Sequence, residues 1–203
     1  MRERQQPDPE KIRALQKALE EYSGQEPLID ETREKALSRI RERALLLLDS
    51  RSRSRQELRD RLVKAEFEPE LVDEVLDSFR RNGLVDDLAF AREWVRQRFE
   101  RRGKSAAMLD VELQRKGVGD ADRAEALSVI EREDEREVAR GLAVKKARQV
   151  KRVPEDRQQR DKELRRIVGA LARRGFNSGM SLQIAREALA ERCAELESES
   201  VED

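Results

Sequence analysis

The chain has 203 residues, of which 43% are charged and only 3% are aromatic, and its 44 basic and 44 acidic residues leave no net charge at pH 7. The absence of histidine excludes Ser-His-Asp triads, histidine general bases and histidine metal sites. A single cysteine, Cys193, excludes an intrachain disulfide and a cysteine zinc cage, and we predict that it is a packing residue.

The first 31 residues are predicted to form an extension that is partly disordered and contains one helix. Its opening, MRERQQPDPEK, has no apolar run of the kind found in signal peptides. We expect disorder over residues 1–8, a helix from about Pro9 to Tyr22 and a break at SGQEP, residues 23–27. The longest apolar run, ALLLL at 44–48, is too short to span a bilayer. These features predict a cytoplasmic protein without a membrane partner.

From residue 32 onwards, apolar residues recur at helical spacing, and no alternating run of β-branched residues indicates a strand. The pattern predicts an all-α fold. The predicted helices span residues 32–50, 54–65, 69–81, 87–102, 105–116, 120–131, 133–151, 157–174 and 178–196.

Three segments of this helical region align with one another. They are SRQELRDRLVKAEFEPELVDEVL from residue 54, SAAMLDVELQRKGVGDADRAEAL from residue 105 and ELRRIVGALARRGFNSGMSLQIA from residue 163. Each contains a helix, a short turn with an apolar residue and a second helix. The coinciding apolar positions are Leu58, Leu109 and Ile167; Leu62, Leu113 and Leu171; Phe67, Val118 and Phe176; and Val75, Ala126 and Ile184.

The turns and helix starts of these segments also carry local signals. Gly117 and Gly175 follow a first helix in two of the segments and are predicted to be left-handed C-caps. Ser54 followed by Glu57 predicts a capping box at the start of the first segment.

The predicted fold is an all-α, elongated and curved array of three tandem three-helix repeats with an N-terminal helical extension. A unit of about 50 residues buries little surface by itself, so neighbouring units should stack. The predicted parts are the extension at 1–31, the repeats at 32–83, 84–132 and 133–196, and an acidic tail at 197–203.

Two short motifs invite a chemical interpretation. Residues 102–105, RGKS, resemble the end of a phosphate-binding loop, but Arg98 stands where that loop requires its first glycine. We therefore interpret Ser105 as a helix N-cap that follows a turn at Gly103. Asp86 and Asp87 lack a histidine, a third acid or a calcium loop, so we predict that they start a helix. No metal, cofactor, small-molecule substrate or enzymatic activity is expected.

The helix that follows carries an apolar stripe beside several arginines. Phe90 and Trp94 are one turn apart, and we predict that they fix this helix to the core. The alternative is that Trp94 is exposed and stacks on nucleic-acid bases. If the ring lies in the core, Trp94→Ala should cost about 3–5 kcal/mol of stability.

Basic residues are concentrated along several predicted helices, although the net charge is zero. Arg92 and Arg96 share one helix face, where a purely solvated helix would more often alternate the sign of its charges. Two interpretations stay open, a surface for an anionic partner and ordinary solvated helix faces. The candidate partner-facing residues are Arg59, Arg92, Arg96, Arg102, Lys104, Arg115, Lys116, Arg165, Arg173 and Arg174.

The stretch GLVDDLAFAREWVRQR at 83–98 resembles the signature of the RecX regulatory proteins. The shared features are Gly-Leu-hydrophobic-Asp-Asp, then Phe-Ala, then a hydrophobic residue and Arg. In addition, SRQELRDRLVKAEF, GKSAAMLDVELQRKGV and RRIVGALARRGF resemble the first, second and third repeats of that family. The resemblance covers about residues 33–192 and leaves out the N-terminal extension and the acidic tail.

The resemblance implies a non-enzymatic regulator of RecA, the bacterial recombinase that polymerises on single-stranded DNA. Such a protein binds RecA and its filaments, bridges neighbouring RecA protomers and modulates ATP hydrolysis, filament growth and strand exchange, in most cases by inhibition. A weak direct contact with DNA is also expected. Two alternatives stay open, namely a helical protein that binds nucleic acid directly and a helical scaffold unrelated to recombination.

Overall fold

The structure is a computed structural model that describes residues 13, 16, 17 and 31–199. Arg13, Gln16 and Lys17 are helical, within the stretch where the first helix was predicted. The predicted disorder at 1–8, the rest of that first helix, the break at 23–27 and the end of the acidic tail at 200–203 lie outside the described residues.

Residues 31–199 form nine helices and contain no strand, which confirms the all-α prediction. Each helix lies where the sequence predicts one, but two helices end four residues earlier than expected, at Leu127 and Ala147. The helices are α1 (Glu31–Ser50), α2 (Arg55–Lys64), α3 (Pro69–Arg81), α4 (Asp87–Arg102), α5 (Ala106–Arg115), α6 (Asp120–Leu127), α7 (Arg132–Ala147), α8 (Arg157–Ala172) and α9 (Ser178–Glu199).

The chain divides into two compact units, Met1–Arg39 and Ile40–Asp203. The described part of the first unit is helical, and within it Lys35 and Glu31 form an exposed ion pair at 3.3 Å. The second unit contains helices α2 to α9 and all three aligned segments. The limits of the individual repeats and the elongated, curved shape remain predictions.

The aligned apolar positions are buried at equivalent places in the three repeats. The two helix positions of each repeat are completely buried, namely Leu58, Leu62, Leu109, Leu113, Ile167 and Leu171. Of the apolar turn residues, Val118 and Phe176 are buried, whereas Phe67 is half-buried. The internal repeat found in the sequence is therefore a repeat of core positions.

The same turn ends the first aligned helix of every repeat. The amide of the apolar turn residue donates to the carbonyl five residues earlier, in the pairs Phe67–Leu62, Val118–Leu113 and Phe176–Leu171. The residue before it has a positive φ of 73° at Gly117 and 87° at Gly175, which confirms both predicted left-handed caps. In the first repeat Glu66 takes this conformation with a φ of 65°, which is uncommon for a residue other than glycine.

Serine and aspartate begin several of the helices. Ser105 is the N-cap of α5, as predicted, and Ser54 accepts a hydrogen bond from the Glu57 amide at 3.1 Å. The predicted capping box at Ser54 is incomplete, because the Glu57 carboxylate accepts from Arg51 and Lys116 instead.

Asp86 and Asp87 each satisfy the amide of a different helix. Asp86 is the N-cap of α4 and accepts from the Ala89 amide at 2.8 Å, as predicted. Asp87 accepts from the amide of Arg55, which begins α2 in the preceding repeat, also at 2.8 Å. Burial raises the pKa of the Asp87 carboxyl. Asp86 therefore caps its own helix, and Asp87 joins α4 to α2.

Small residues form much of the core of the third repeat. Ala139, Ala143 and Ala147 lie one turn apart on α7 and are completely or almost completely buried against the other helices of this repeat. Cys193 on α9 is partly buried beside this cluster, which confirms its predicted packing role. Burial raises the pKa of its thiol, so the less reactive protonated form is favoured.

Candidate partner-binding groove

An open groove lies between the second and third repeats. It has a volume of about 760 Å³ and is bounded by the end of α4, the turn into α5, one side of α7 and the turn after α8. We call it the basic groove, because most of its charged side chains are cationic. Its lining residues are Glu100, Arg101, Arg102, Gly103, Lys104, Val138, Gly141, Leu142, Lys145, Arg173 and Arg174.

Two helix ends bring arginines to the groove. α4 ends at Arg102, and α8 ends one residue before Arg173. Cations near a helix C-terminus are favoured because they interact with the free carbonyls and the negative end of the helix dipole. The sequence therefore places basic residues here for a local reason, and the fold brings the two ends together.

Backbone contacts between repeats hold these ends in place. The Arg174 guanidinium donates to the Arg102 carbonyl at 3.1 Å, and the Ser105 amide donates to the Arg174 carbonyl at 2.9 Å. Gly103 has a φ of 57°, and a Cβ added to it would lie 2.9 Å from Leu142 Cδ1. The turn after α4 thus favours glycine for its left-handed conformation, and a larger residue there would also displace the Leu142 side chain of α7.

Most of the cations in the basic groove form no ion pair with another described residue. Among the described residues, no ion pair involves Arg101, Arg102, Lys145 or Arg173. Lys104 is the exception, since its ammonium group binds Glu112. The groove residues described above include one acid, Glu100, against six cations.

The floor of the groove is apolar and comes from α7. Val138 and Leu142 are half-buried, and Gly141 lies exposed between them. A Cβ added to Gly141 would meet no atom within 4 Å. The groove therefore combines a cationic rim with an apolar floor that has free space above it.

The structure brings together four of the ten predicted partner-facing residues in this groove: Arg102, Lys104, Arg173 and Arg174. Arg101 and Lys145 complete the cationic rim and were not among the predicted residues. Arg101 adjoins Arg102 in the sequence, so the predicted residue Arg102 could have indicated Arg101 as well. The sequence next to Lys145 does not indicate that this residue faces the groove, because its place in the rim depends on how α7 packs.

Three other predicted residues are held by acids. Arg59 forms three hydrogen bonds with Asp73, at 2.9, 3.0 and 3.1 Å, and is partly buried. Arg92 contacts Glu125 at 2.5 Å, and Arg96 contacts Glu93 at 2.8 Å; Glu93 is half-buried and the other three side chains are exposed. The Arg92 and Arg96 charges are thus locally balanced, unlike those of the groove.

The remaining predicted residues are separate from the groove. Arg115 and Arg165 are exposed on α5 and α8. Lys116 is half-buried, and its ammonium group lies 2.6 Å from Glu57 and 4.1 Å from the centre of the Trp94 ring.

Trp94 packs against the core of the second repeat but lies at its edge. Its ring centre is 5.7 Å from that of Phe90, and its indole N–H donates to Glu112 at 3.1 Å. The Arg98 guanidinium lies 3.1 Å from the ring centre. The predicted contact with the core is confirmed, but the ring is only partly buried, and cations of the chain itself already lie against it.

Other kinds of site find no support in the described part of the chain. No group of three or more acids and cysteines there is arranged to hold a metal ion. None of the helices described is both long and apolar enough to cross a membrane.

Comparison with known proteins identifies the family. The model of "RecX, second three-helix domain" matches residues 86–127, and that of "RecX, first three-helix domain" matches residues 41–79. A protein of Corynebacterium efficiens named Regulatory protein RecX is 52% identical over 192 residues, which are 92% of this chain and 91% of that protein. The chain belongs to the RecX family. A second Regulatory protein RecX, from Streptomyces lividans, is 42% identical over 72% of this chain and 76% of its own length.

A solved RecX structure has the same fold. The crystal structure of RecX from Lactobacillus salivarius has a TM-score of 0.65 and 22% identity, and the likeness covers 76% of this chain and 97% of that one. Neither RecX domain model extends beyond residue 127. The part of the basic groove that comes from α7 and the turn after α8 therefore lies outside both matches. RecX membership supports a regulatory role, and neither the matched models nor these relatives describe an enzyme.

Proposed function

We propose that this RecX-family chain binds the RecA recombinase and its filaments on single-stranded DNA. The proposed effect is inhibition of ATP hydrolysis, filament growth and strand exchange. We propose accordingly that the protein acts in the cytoplasm. The observation that supports a binding role most strongly is the basic groove, where Arg101, Arg102, Lys145 and Arg173 form no ion pair with another described residue.

Contacts from more than one repeat favour binding to a polymer. The groove takes side chains from both the second and the third repeat, and backbone hydrogen bonds join those repeats. A protein that contacts two neighbouring protomers gains affinity because the second contact is intramolecular. Modest interactions with each RecA protomer would then add up along a filament.

Strand exchange and filament length test this proposal. RecA filaments formed on single-stranded DNA would be challenged with the protein below the RecA concentration, and their lengths measured by electron microscopy. We expect shorter filaments and slower strand exchange than without the protein. Unchanged lengths and unchanged strand exchange would contradict the proposal.

Direct binding of nucleic acid is a second candidate, supported by the same unpaired cations. It requires binding to DNA without RecA, with an affinity that falls steeply with salt according to the number of phosphates contacted. Titration of a labelled single-stranded oligonucleotide at two salt concentrations separates this candidate from the first.

A further inference from the structure

The basic groove has two chemically different surfaces, and any occupant must match both. The rim presents Arg101, Arg102, Lys145 and Arg173, none of which has an ion pair with another described residue. The floor presents half-buried Val138 and Leu142 and the open space above Gly141. A phosphate chain would satisfy the rim but would leave the apolar floor without a partner.

The groove also lacks the side chains that bind bases. Proteins that hold single strands commonly stack successive bases on aromatic rings. No residue lining the described groove is aromatic. Outside the groove, the Trp94 ring already has the Arg98 guanidinium 3.1 Å and the Lys116 ammonium group 4.1 Å from its centre.

The rim is suited to carboxylates held at fixed positions. Guanidinium groups bind carboxylates through paired, charge-assisted hydrogen bonds. The two arginine-bearing turns are fixed to each other through the bond from Arg174 to the Arg102 carbonyl and the bond from Ser105 to Arg174. Less ordering is required when a partner binds to turns that are already fixed.

We infer that the basic groove receives an acidic protein segment whose carboxylates bind the arginine rim and whose apolar side chains lie on the α7 floor above Gly141. The inference rests on the proposed function, since it names the chemistry that RecA would present at this site. The shape of the groove is nevertheless testable without RecA.

Two variants probe the floor and the rim separately. Gly141→Phe fills the free space without changing the charge, and phenylalanine has a higher helix propensity than glycine. Arg102→Glu combined with Arg173→Glu reverses two rim charges. Lys151→Glu combined with Arg152→Glu is the matched control, because it makes the same change in net charge at exposed residues outside the groove. Melting temperatures establish that each variant is folded.

Three labelled probes would be titrated with the wild-type protein and each variant. They are a peptide of repeated Glu-Glu-Leu, RecA without DNA, and a single-stranded oligonucleotide without RecA. We expect both groove variants to weaken binding of the peptide and of RecA by about tenfold or more, as for the loss of an interface hot spot. We expect the control to bind both within about twofold of wild type. Oligonucleotide binding should fall equally with the two charge-reversal variants and should stay unchanged with Gly141→Phe.

Two results would overturn the inference. One is a peptide that does not bind the wild-type protein, or that binds folded groove variants as tightly as wild type. The other is selective loss of oligonucleotide binding in the groove variants, which would make the groove a nucleic-acid site. Peptide binding with no RecA binding by the wild-type protein would contradict the proposed function instead, and would leave the groove chemistry supported.

Discussion

The Glu57 carboxylate accepts a hydrogen bond from the Lys116 ammonium group at 2.6 Å and thereby joins the first repeat to the second. It also accepts from Arg51 at 3.1 Å, and the Glu57 side chain is only 18% exposed. Burial alone would raise the pKa of Glu57, but the hydrogen bonds from Arg51 and Lys116 outweigh it and lower the pKa from 4.5 to about 2. Ionised Glu57 is therefore part of the junction between these repeats.

This junction predicts a loss of stability in acid. Because the folded-state pKa of Glu57 lies below its unfolded value, the stabilisation is complete above pH 4.5 and disappears as the pH falls towards about 2. The contribution of this group is at most roughly 3 kcal/mol. Urea denaturation between pH 7 and pH 2 should show that Glu57→Gln lowers the free energy of unfolding at pH 7 and weakens its dependence on pH.

The control for that experiment is Glu137→Gln on α7. Glu137 is exposed and forms no ion pair with another described residue, so its substitution should leave the pH dependence as in wild type. If the free energy of unfolding depends on pH in the same way in wild type and Glu57→Gln, the junction does not depend on an ionised Glu57.

Glycine substitutions test the close approach of neighbouring repeats. A Cβ at Gly175 would lie 2.5 Å from Ser105 Oγ and 2.7 Å from Met108 Cβ, whereas a Cβ at Gly83 would meet no atom within 4 Å. Both residues have a positive φ, so Gly83→Ala should cost about 1–2 kcal/mol from the backbone alone. Gly175→Ala should cost about 1–3 kcal/mol more because of overpacking. Equal losses in urea denaturation would contradict this account of the junction.

The position of Trp94 predicts a moderate effect of its removal. Truncation of a fully buried tryptophan to alanine costs about 3–5 kcal/mol of stability. Because Trp94 is partly exposed, we expect Trp94→Ala to cost about 2–3 kcal/mol. Trp94→Phe should cost less, because it keeps a ring beside Phe90, although it too loses the bond from the indole to Glu112. Circular dichroism during urea denaturation measures both variants, whereas tryptophan fluorescence would report neither. A Trp94→Ala variant as stable as wild type would refute the core contact.

The two adjacent acids should contribute separately to stability, because they satisfy different helices. Asp86→Ala removes the cap of α4 and should cost about 1 kcal/mol. Asp87→Ala leaves the Arg55 amide without its acceptor and should cost about 1–3 kcal/mol. Asp87→Asn keeps an acceptor oxygen and should cost less than the alanine variant. If asparagine and alanine at this position destabilise equally, the bond to Arg55 has no stabilising role.

Local patterns were sufficient to predict most of the fold. Helical spacing located the nine helices of residues 31–199, and the alignment placed Leu58, Leu109 and Ile167 at equivalent buried positions. Glycine at 117 and 175 indicated two of the three left-handed turns that end the first aligned helix of each repeat. Glu66 gave no such signal, because a glutamate seldom adopts a positive φ.

Contacts between distant segments could not be predicted in the same way. Arg92 pairs with Glu125, which is 33 residues away in the sequence. Asp87 accepts a hydrogen bond from the amide of Arg55, which is 32 residues away. The rim of the basic groove likewise combines Arg102 with Arg173 across two repeats. Charge along the sequence predicts that a helix carries cations, whereas packing decides which of those cations stay unpaired.

The most direct test of the central claim is the rate of DNA-dependent ATP hydrolysis by RecA with this protein added below the RecA concentration. We predict a rate that falls as the protein is added, and a smaller fall with Arg102→Glu combined with Arg173→Glu than with the Lys151→Glu and Arg152→Glu control. A rate that stays constant at every concentration of the wild-type protein would contradict it.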